Sequence, residues 1–167
     1  KLVDGVLGAI DHIRKYSSNY TVSIITENTK AVCVVHPWGN PAELDAISAF
    51  CKEKSLALVE DCSHAHGARY AERAVGSWGD VGCFSMQGTK PVSGGELGIV
   101  TTNRSDLWER MLALAQFGRT FSIREGAADV GGMSLGMKFR PHPYAVAIAR
   151  ESLRNLGELN RLRKANH

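Results

Sequence analysis

Three short segments of this 167-residue chain gather side chains that can do chemistry. The first, Glu60-Asp61-Cys62-Ser63-His64-Ala65-His66, begins where the apolar run LALVE ends. A carboxylate leaving such a run can hold a proton on a cofactor heteroatom. Two histidines one residue apart on an extended segment would face one side and suit a metal ion. Taken alone, the segment reads most simply as a capping aspartate and two partly exposed histidines. The second segment runs from Cys83 through Ser85, Gln87 and Thr89 to Lys90-Pro91. Pro91 biases Lys90 toward extended backbone. A turn lysine is ordinarily a solvated cation, but one held among small polar groups can lose its proton and act as an amine nucleophile. The third, Ser93-Gly94-Gly95-Glu96-Leu97-Gly98, suits a tight turn between strands as well as a ligand loop. It is not a nucleotide-binding phosphate loop, because Lys90 is followed by proline and no helix opens there.

The order of these groups says more than any one of them. An aspartate and a serine stand at the ends of apolar runs, and a lysine follows. Lysine bound covalently to a carbonyl cofactor, with an aspartate for the pyridinium nitrogen, is how proteins hold pyridoxal phosphate. A metal site built from Asp61, His64, His66 and His36 competes with this reading. Its spacing matches none of the specific metal-ligand signatures.

The elements that must position these residues follow an alternating pattern. Ala31–His36 (AVCVVH) is a continuous β-branched run, expected as a strand buried on both faces. Asn40-Pro41-Ala42-Glu43 reads as a capped helix start, and Leu44, Ile47 and Cys51 line one helix face to Lys54. Leu56–Glu60, Asp80–Ser85 and Leu97–Thr102 read as further strands, and Ser105–Phe117 as a helix. A helix is expected to about Tyr16, a weak strand over 20–25, a long loop over 118–136, and a last helix from Pro143 or Tyr144 with a kink at Gly157. Apolar strands alternating with helices predict one α/β domain over 1–167, with a mostly parallel sheet and flanking helices. In such sheets ligands bind at the carboxyl ends of the strands.

Composition narrows the function classes. The formal net charge of +3, with no basic cluster, argues against nucleic acid. Hydrophobic residues at 44 % and charged residues at 22 % suit a packed domain. No apolar run approaches the roughly 18 residues of a membrane span. The N-terminus is broken too early by Asp4 to read as a signal peptide. Four scattered cysteines, Cys33, Cys51, Cys62 and Cys83, predict free thiols in a reducing cytoplasm. The chain begins in mid-pattern without methionine, as a processed chain or a piece of a longer one would.

The words TKAVCVVHPWGNPAELDAI, LVEDCSHAHGARY, VGSWGDVGCFSMQGTKPVSGGELG and IVTTN resemble the DegT/DnrJ/EryC1/StrS family of pyridoxal-phosphate-dependent sugar aminotransferases. The tail from GMKFRPHPYAVAIA to RLRKANH is similar with lower specificity. The resemblance implies a fold-type I enzyme, of which this chain is the middle of the large domain and less than half. It implies that Lys90 binds the cofactor covalently and moves the substrate proton, that Asp61 holds the ring nitrogen's proton, and that Ser85 binds the phosphate. His64 stands where most members have a glutamine that contacts the phenolic oxygen. Lys138 stands where many have an asparagine that reaches a partner subunit's phosphate, so a homodimer is implied. His36, Trp38 and His66 match words that are mainly structural. Leu97 replaces a glycine that usually follows the glutamate.

The implied reaction moves an amino group from glutamate or glutamine to a nucleotide-linked keto-sugar. The alternative is a truncated, inactive relative that serves as a dimerising or structural module. Because the family's N-terminal phosphate turn, its stacking aromatic and its small domain are not recognisable here, the chain alone is expected to transaminate poorly.

Overall fold

The computed structural model describes residues 29–115 and 138–166. The helix expected near the N-terminus, the strand over 20–25 and the loop over 118–136 lie outside the described residues. Among the described residues there are six strands, β1 (Ala31–Val35), β2 (Ala57–Asp61), β3 (Arg69–Tyr70), β4 (Arg73–Ala74), β5 (Val81–Ser85) and β6 (Gly98–Thr101), and four α-helices, α1 (Leu44–Glu53), α2 (Ser105–Ala115), α3 (Pro143–Arg154) and α4 (Leu156–Ala165). Of the helices only α1 falls between strands, and the expected alternation does not extend past it. The main sheet has the order β1-β2-β5-β6; β1, β2 and β5 run parallel, and β6 closes the edge antiparallel to β5. This is the mostly parallel α/β sheet that the sequence predicts.

Register divides the chemistry between two faces. Val35 pairs with Asp61, and Asp61 with Cys83. Side chains alternate along a strand, so Val35, Asp61, Cys83 and Ser85 share one face while Leu58, Glu60 and Phe84 share the other. The second face is covered. Val34, Leu58, Cys62, Ala65 and Val75 pack there with Leu44 and Cys51 of α1, and Ile47, Trp78 and Phe84 join from the side. The first face is more open: Ala31, Cys33 and Ala57 are exposed, and all of β6 is exposed. The expectation that β1 is buried on both faces is therefore corrected. One face packs on α1, and nothing among the described residues covers the other to the same degree.

The start of α1 also differs from the expected Asn40 cap. The Ala42 amide donates to His36 Nδ1, 3.2 Å away, and the Asn40 amide donates to the Pro37 carbonyl. Those bonds keep 40–43 outside the helix, which begins at Leu44 with Glu43 as an uncapped N-terminal residue. α3 starts where expected: Pro143 is its first residue, and the His142 side chain accepts from the Tyr144 amide. The kink expected at Gly157 falls two residues earlier, at Asn155, which joins α3 to α4.

The β3–β4 hairpin turns on Ala71 (φ 44°) and Glu72 (φ 62°), both left-handed. A two-residue turn of this kind favours Asn-Gly, because a Cβ is strained there. Ala71→Asn combined with Glu72→Gly is expected to raise stability by about 1 kcal/mol or more. An unchanged urea midpoint would show that the turn is not strained.

Candidate functional site

The carboxyl ends of β2 and β5 lie side by side, and the loops leaving them carry nearly every residue singled out in the sequence. Asp61 ends β2, and its Oδ1 accepts from the Ser63 amide at 3.0 Å, the local turn that redirects the chain. The segment after it is not extended. Successive turns join Ala65 N–H to the Cys62 carbonyl and Ala68 N–H to the Ala65 carbonyl. His64 and His66 therefore do not face one side as a metal pair would. His64 is exposed and His66 is 7 % exposed.

His66 sits with its ring 5.5 Å from that of Phe84, and among the described residues neither ring nitrogen has a hydrogen-bond partner. Burial pushes its imidazole below the ordinary range. The charges of Lys90 and His64 add to that shift. The ring is thus neutral at neutral pH and packs as a core aromatic.

Ser85 ends β5 on the same face as Asp61, and the loop that follows is closed at its neck. Met86 N–H donates to the Leu97 carbonyl at 2.8 Å, and Gly94 N–H to the Met86 carbonyl at 2.9 Å. Gln87 builds the turn inside: its Oε1 accepts from both the amide and the hydroxyl of Thr89, and its carbonyl accepts from the Lys90 amide at 2.9 Å. Lys90 is half-buried at the turn's end. Lys138 is exposed beside the end of α2, where the Phe139 amide donates to the Ala115 carbonyl. Among the described residues it makes no hydrogen bond or ion pair with the other four.

Under Asp61, on the opposite face, lies an acid that sequence reasoning left without a role. Glu60 is fully buried. One carboxylate oxygen accepts from His36 Nε2 (3.2 Å) and the Gly76 amide (2.7 Å), the other from the amides of Trp78 and Gly79 (2.7 Å each). His36 accepts at Nδ1, so it donates from Nε2 as a neutral ring. Burial alone would raise the Glu60 carboxyl, but His36 and the three amides outweigh it and hold the carboxyl below its ordinary range. The signal was in the alternation: Glu60 has the parity of Leu58, which faces the core.

Among the described residues, His36, Glu60 and Cys62 are close enough to share an ion. Their chemistry does not suit one. Both Glu60 oxygens are committed to N–H donors, and burial with the nearby Glu60 and Asp61 charges pushes the Cys62 thiol up to about 12. A metal needs the thiolate.

The sequence profile of the DegT/DnrJ/EryC1/StrS aminotransferase family matches residues 16–167. The chain belongs to this family. It is 42 % identical over 149 residues to an L-glutamine:2-deoxy-scyllo-inosose aminotransferase from Streptoalloteichus tenebrarius, covering 85 % of this chain and 35 % of that one. An aminotransferase from Psychrobacter cryohalolentis superposes with a TM-score of 0.71 at 30 % identity, covering 81 % of this chain and 36 % of that one. An E. coli GDP-4-keto-6-deoxy-D-mannose-3-dehydratase, solved with bound hydrated PLP, superposes at 0.68 with 25 % identity, covering 80 % and 37 %. The chain thus spans about a third of the length of these relatives. Its sheet is part of the fold-type I architecture.

The residues of this family member fit pyridoxal phosphate. A carboxylate and a hydroxyl stand on one open sheet face, and an amine sits on the turn that leaves the hydroxyl's strand. The Asp61 charge acts across that face, where it follows burial in raising the Cys33 thiol and follows burial and Cys33 in raising Cys83.

Proposed function

We propose that this chain carries the cofactor-binding centre of an aminotransferase. It would transfer an amino group from glutamine or glutamate to the ketone of a polyhydroxylated ring, a nucleotide-linked sugar or a cyclitol. The observation that carries this reading is the placement of Asp61 and Ser85 on one face at adjacent parallel strand ends, with Lys90 on the following turn. The names of the relatives, an inosose aminotransferase and a GDP-sugar enzyme among them, support the substrate class.

Pyridoxal phosphate, when bound, supplies an electron sink for the substrate carbon that loses its proton. The protein's share is positioning and proton management. Asp61 would keep a proton on the cofactor's ring nitrogen. His64, exposed on the turn beyond it, would hydrogen-bond the phenolic oxygen. Ser85 would donate its hydroxyl to the phosphate, which carries about two negative charges near neutral pH. Lys90 would anchor the carbonyl carbon and afterwards carry the proton removed from the substrate carbon. Lys138, exposed on this chain, would meet the phosphate of a partner subunit in a homodimer. Sedimentation as a monomer at tens of micromolar would remove that last role.

Incubation with pyridoxal phosphate, borohydride reduction and peptide mapping is expected to place the adduct on Lys90. Equal labelling of the exposed Lys52 and Lys164 would overturn the assignment.

A further inference from the structure

The turn that carries Lys90 is held from outside as well as from within. Its own strand ends fix the neck at Met86 and Gly94, but the backbone just after the lysine is fixed by α3, some sixty residues further along the chain. Ser152 on α3 accepts the Ser93 amide at 3.2 Å and donates toward the Pro91 carbonyl at 3.5 Å. One hydroxyl therefore satisfies both backbone groups flanking Val92, which is itself fully buried against Met86 and Ala149.

The fit is tight. A Cβ at Gly94 would lie 2.6 Å from the Ala145 carbonyl and 3.2 Å from the Ala149 Cβ, so the loop lies directly on the helix. α4 extends the contact to the other site loop, where Asn160 donates to the His66 carbonyl at 2.9 Å.

We infer that Ser152 is a positioning residue for Lys90: its hydroxyl fixes the backbone that follows the lysine, so that the amine leaves the turn in one orientation. This rests on the reading of Lys90 as the covalent anchor. The physical reason is preorganisation. On one side Lys90 is held by the Gln87 turn, and on the other Pro91 has no N–H to contribute, so the next available anchors are the Pro91 carbonyl and the Ser93 amide. Ser152 takes both. Without it the chain between Lys90 and the buried Val92 gains a set of conformations, and only a fraction of them present the amine productively.

Ser152→Val and Ser152→Thr separate the hydroxyl from bulk, because the two side chains are nearly isosteric and equally β-branched in a helix. Each variant is labelled with pyridoxal phosphate and borohydride, and labelling of Lys90 is divided by that of the exposed Lys52 in the same sample. Amide hydrogen exchange at Ser93 is followed in parallel without cofactor. The threonine variant is expected to stay within about twofold of the native ratio. The valine variant is expected to lose about tenfold in the ratio and to exchange the Ser93 amide at least about tenfold faster, the scale of one lost hydrogen bond.

A purely structural role would lower the melting temperature without moving the ratio, which would overturn the inference. So would a valine variant as selective for Lys90 as the threonine one. Should Ser152→Val not fold, Ser152→Ala makes the same comparison with the native chain. A native chain with no preference for Lys90 would instead refute the anchor assignment, and the inference with it.

Discussion

Glu60→Ala is expected to cost at least about 3 kcal/mol of folding stability. The carboxylate is fully buried and receives four hydrogen bonds, from His36 and from the amides of Gly76, Trp78 and Gly79. Removing it strands three backbone amides and an imidazole N–H, and each buried donor without a partner costs about 1–3 kcal/mol. Water entering the space would recover part of that. A net loss of about 3 kcal/mol is still a large share of the roughly 5–15 kcal/mol that holds such a domain.

Glu60→Gln is not a mild change here, because its amide nitrogen must face two N–H donors whichever way it turns. The pH dependence has a fixed sign. The folded carboxyl titrates below its unfolded value, so its contribution is complete above the ordinary glutamate pKa of about 4.3 and is lost as pH falls through the folded value. Urea unfolding of the native chain should therefore weaken below that pH, and the alanine variant should lack that part of the slope. An alanine variant within about 1 kcal/mol of native would show that the 76–79 loop is held by something else.

The same strand shows what the sequence can and cannot disclose. The alternation in LALVED separates an inward Leu58 and Glu60 from an outward Val59 and Asp61, and the register agrees. What the letters hide is which of two adjacent acids is structural, because both are chemically alike until a partner is known. The partners of Glu60 are amides contributed 16 to 19 residues later, and no local periodicity reports on them. α1 was misplaced for a similar reason: His36, six residues away, takes the Ala42 amide that a cap at Asn40 would have left to the helix. The metal alternative needed His64 and His66 on one side of an extended segment, and two consecutive turns part them. Of the two histidines read as partly exposed, His64 is exposed and His66 is buried. The positions of β1, β2, β5 and β6 and the start of α3 were legible because each rests on a local signal, an apolar run or a proline. The order of the strands and the antiparallel pairing of β6 rest on long-range contacts that no such signal reports. Ser152 and Asn160 were not legible, since their bonds cross 59 and 94 positions.

Asp61→Asn is expected to weaken pyridoxal phosphate binding by roughly 10- to 100-fold and to leave stability nearly untouched. The two halves of that expectation come from different contacts. Among the described residues the Asp61 side chain makes one local bond, from the Ser63 amide to Oδ1 at 3.0 Å, and an asparagine carbonyl oxygen accepts it equally well. The side chain is only half-buried on the open face, so no desolvated charge is lost from the core. Toward the cofactor, an amide can neither neutralise a protonated ring nitrogen nor favour its protonation. The lost interaction is a charge-assisted hydrogen bond, about 1.5–3 kcal/mol, which corresponds to one to two powers of ten in Kd. Absorbance titration of the native and variant chains with pyridoxal phosphate measures the first half, and urea unfolding without cofactor measures the second. Equal affinity would remove Asp61 from the site. A loss of stability comparable to that of Glu60→Ala would make Asp61 a second structural acid, and the division of labour between the two faces of β2 would fail with it.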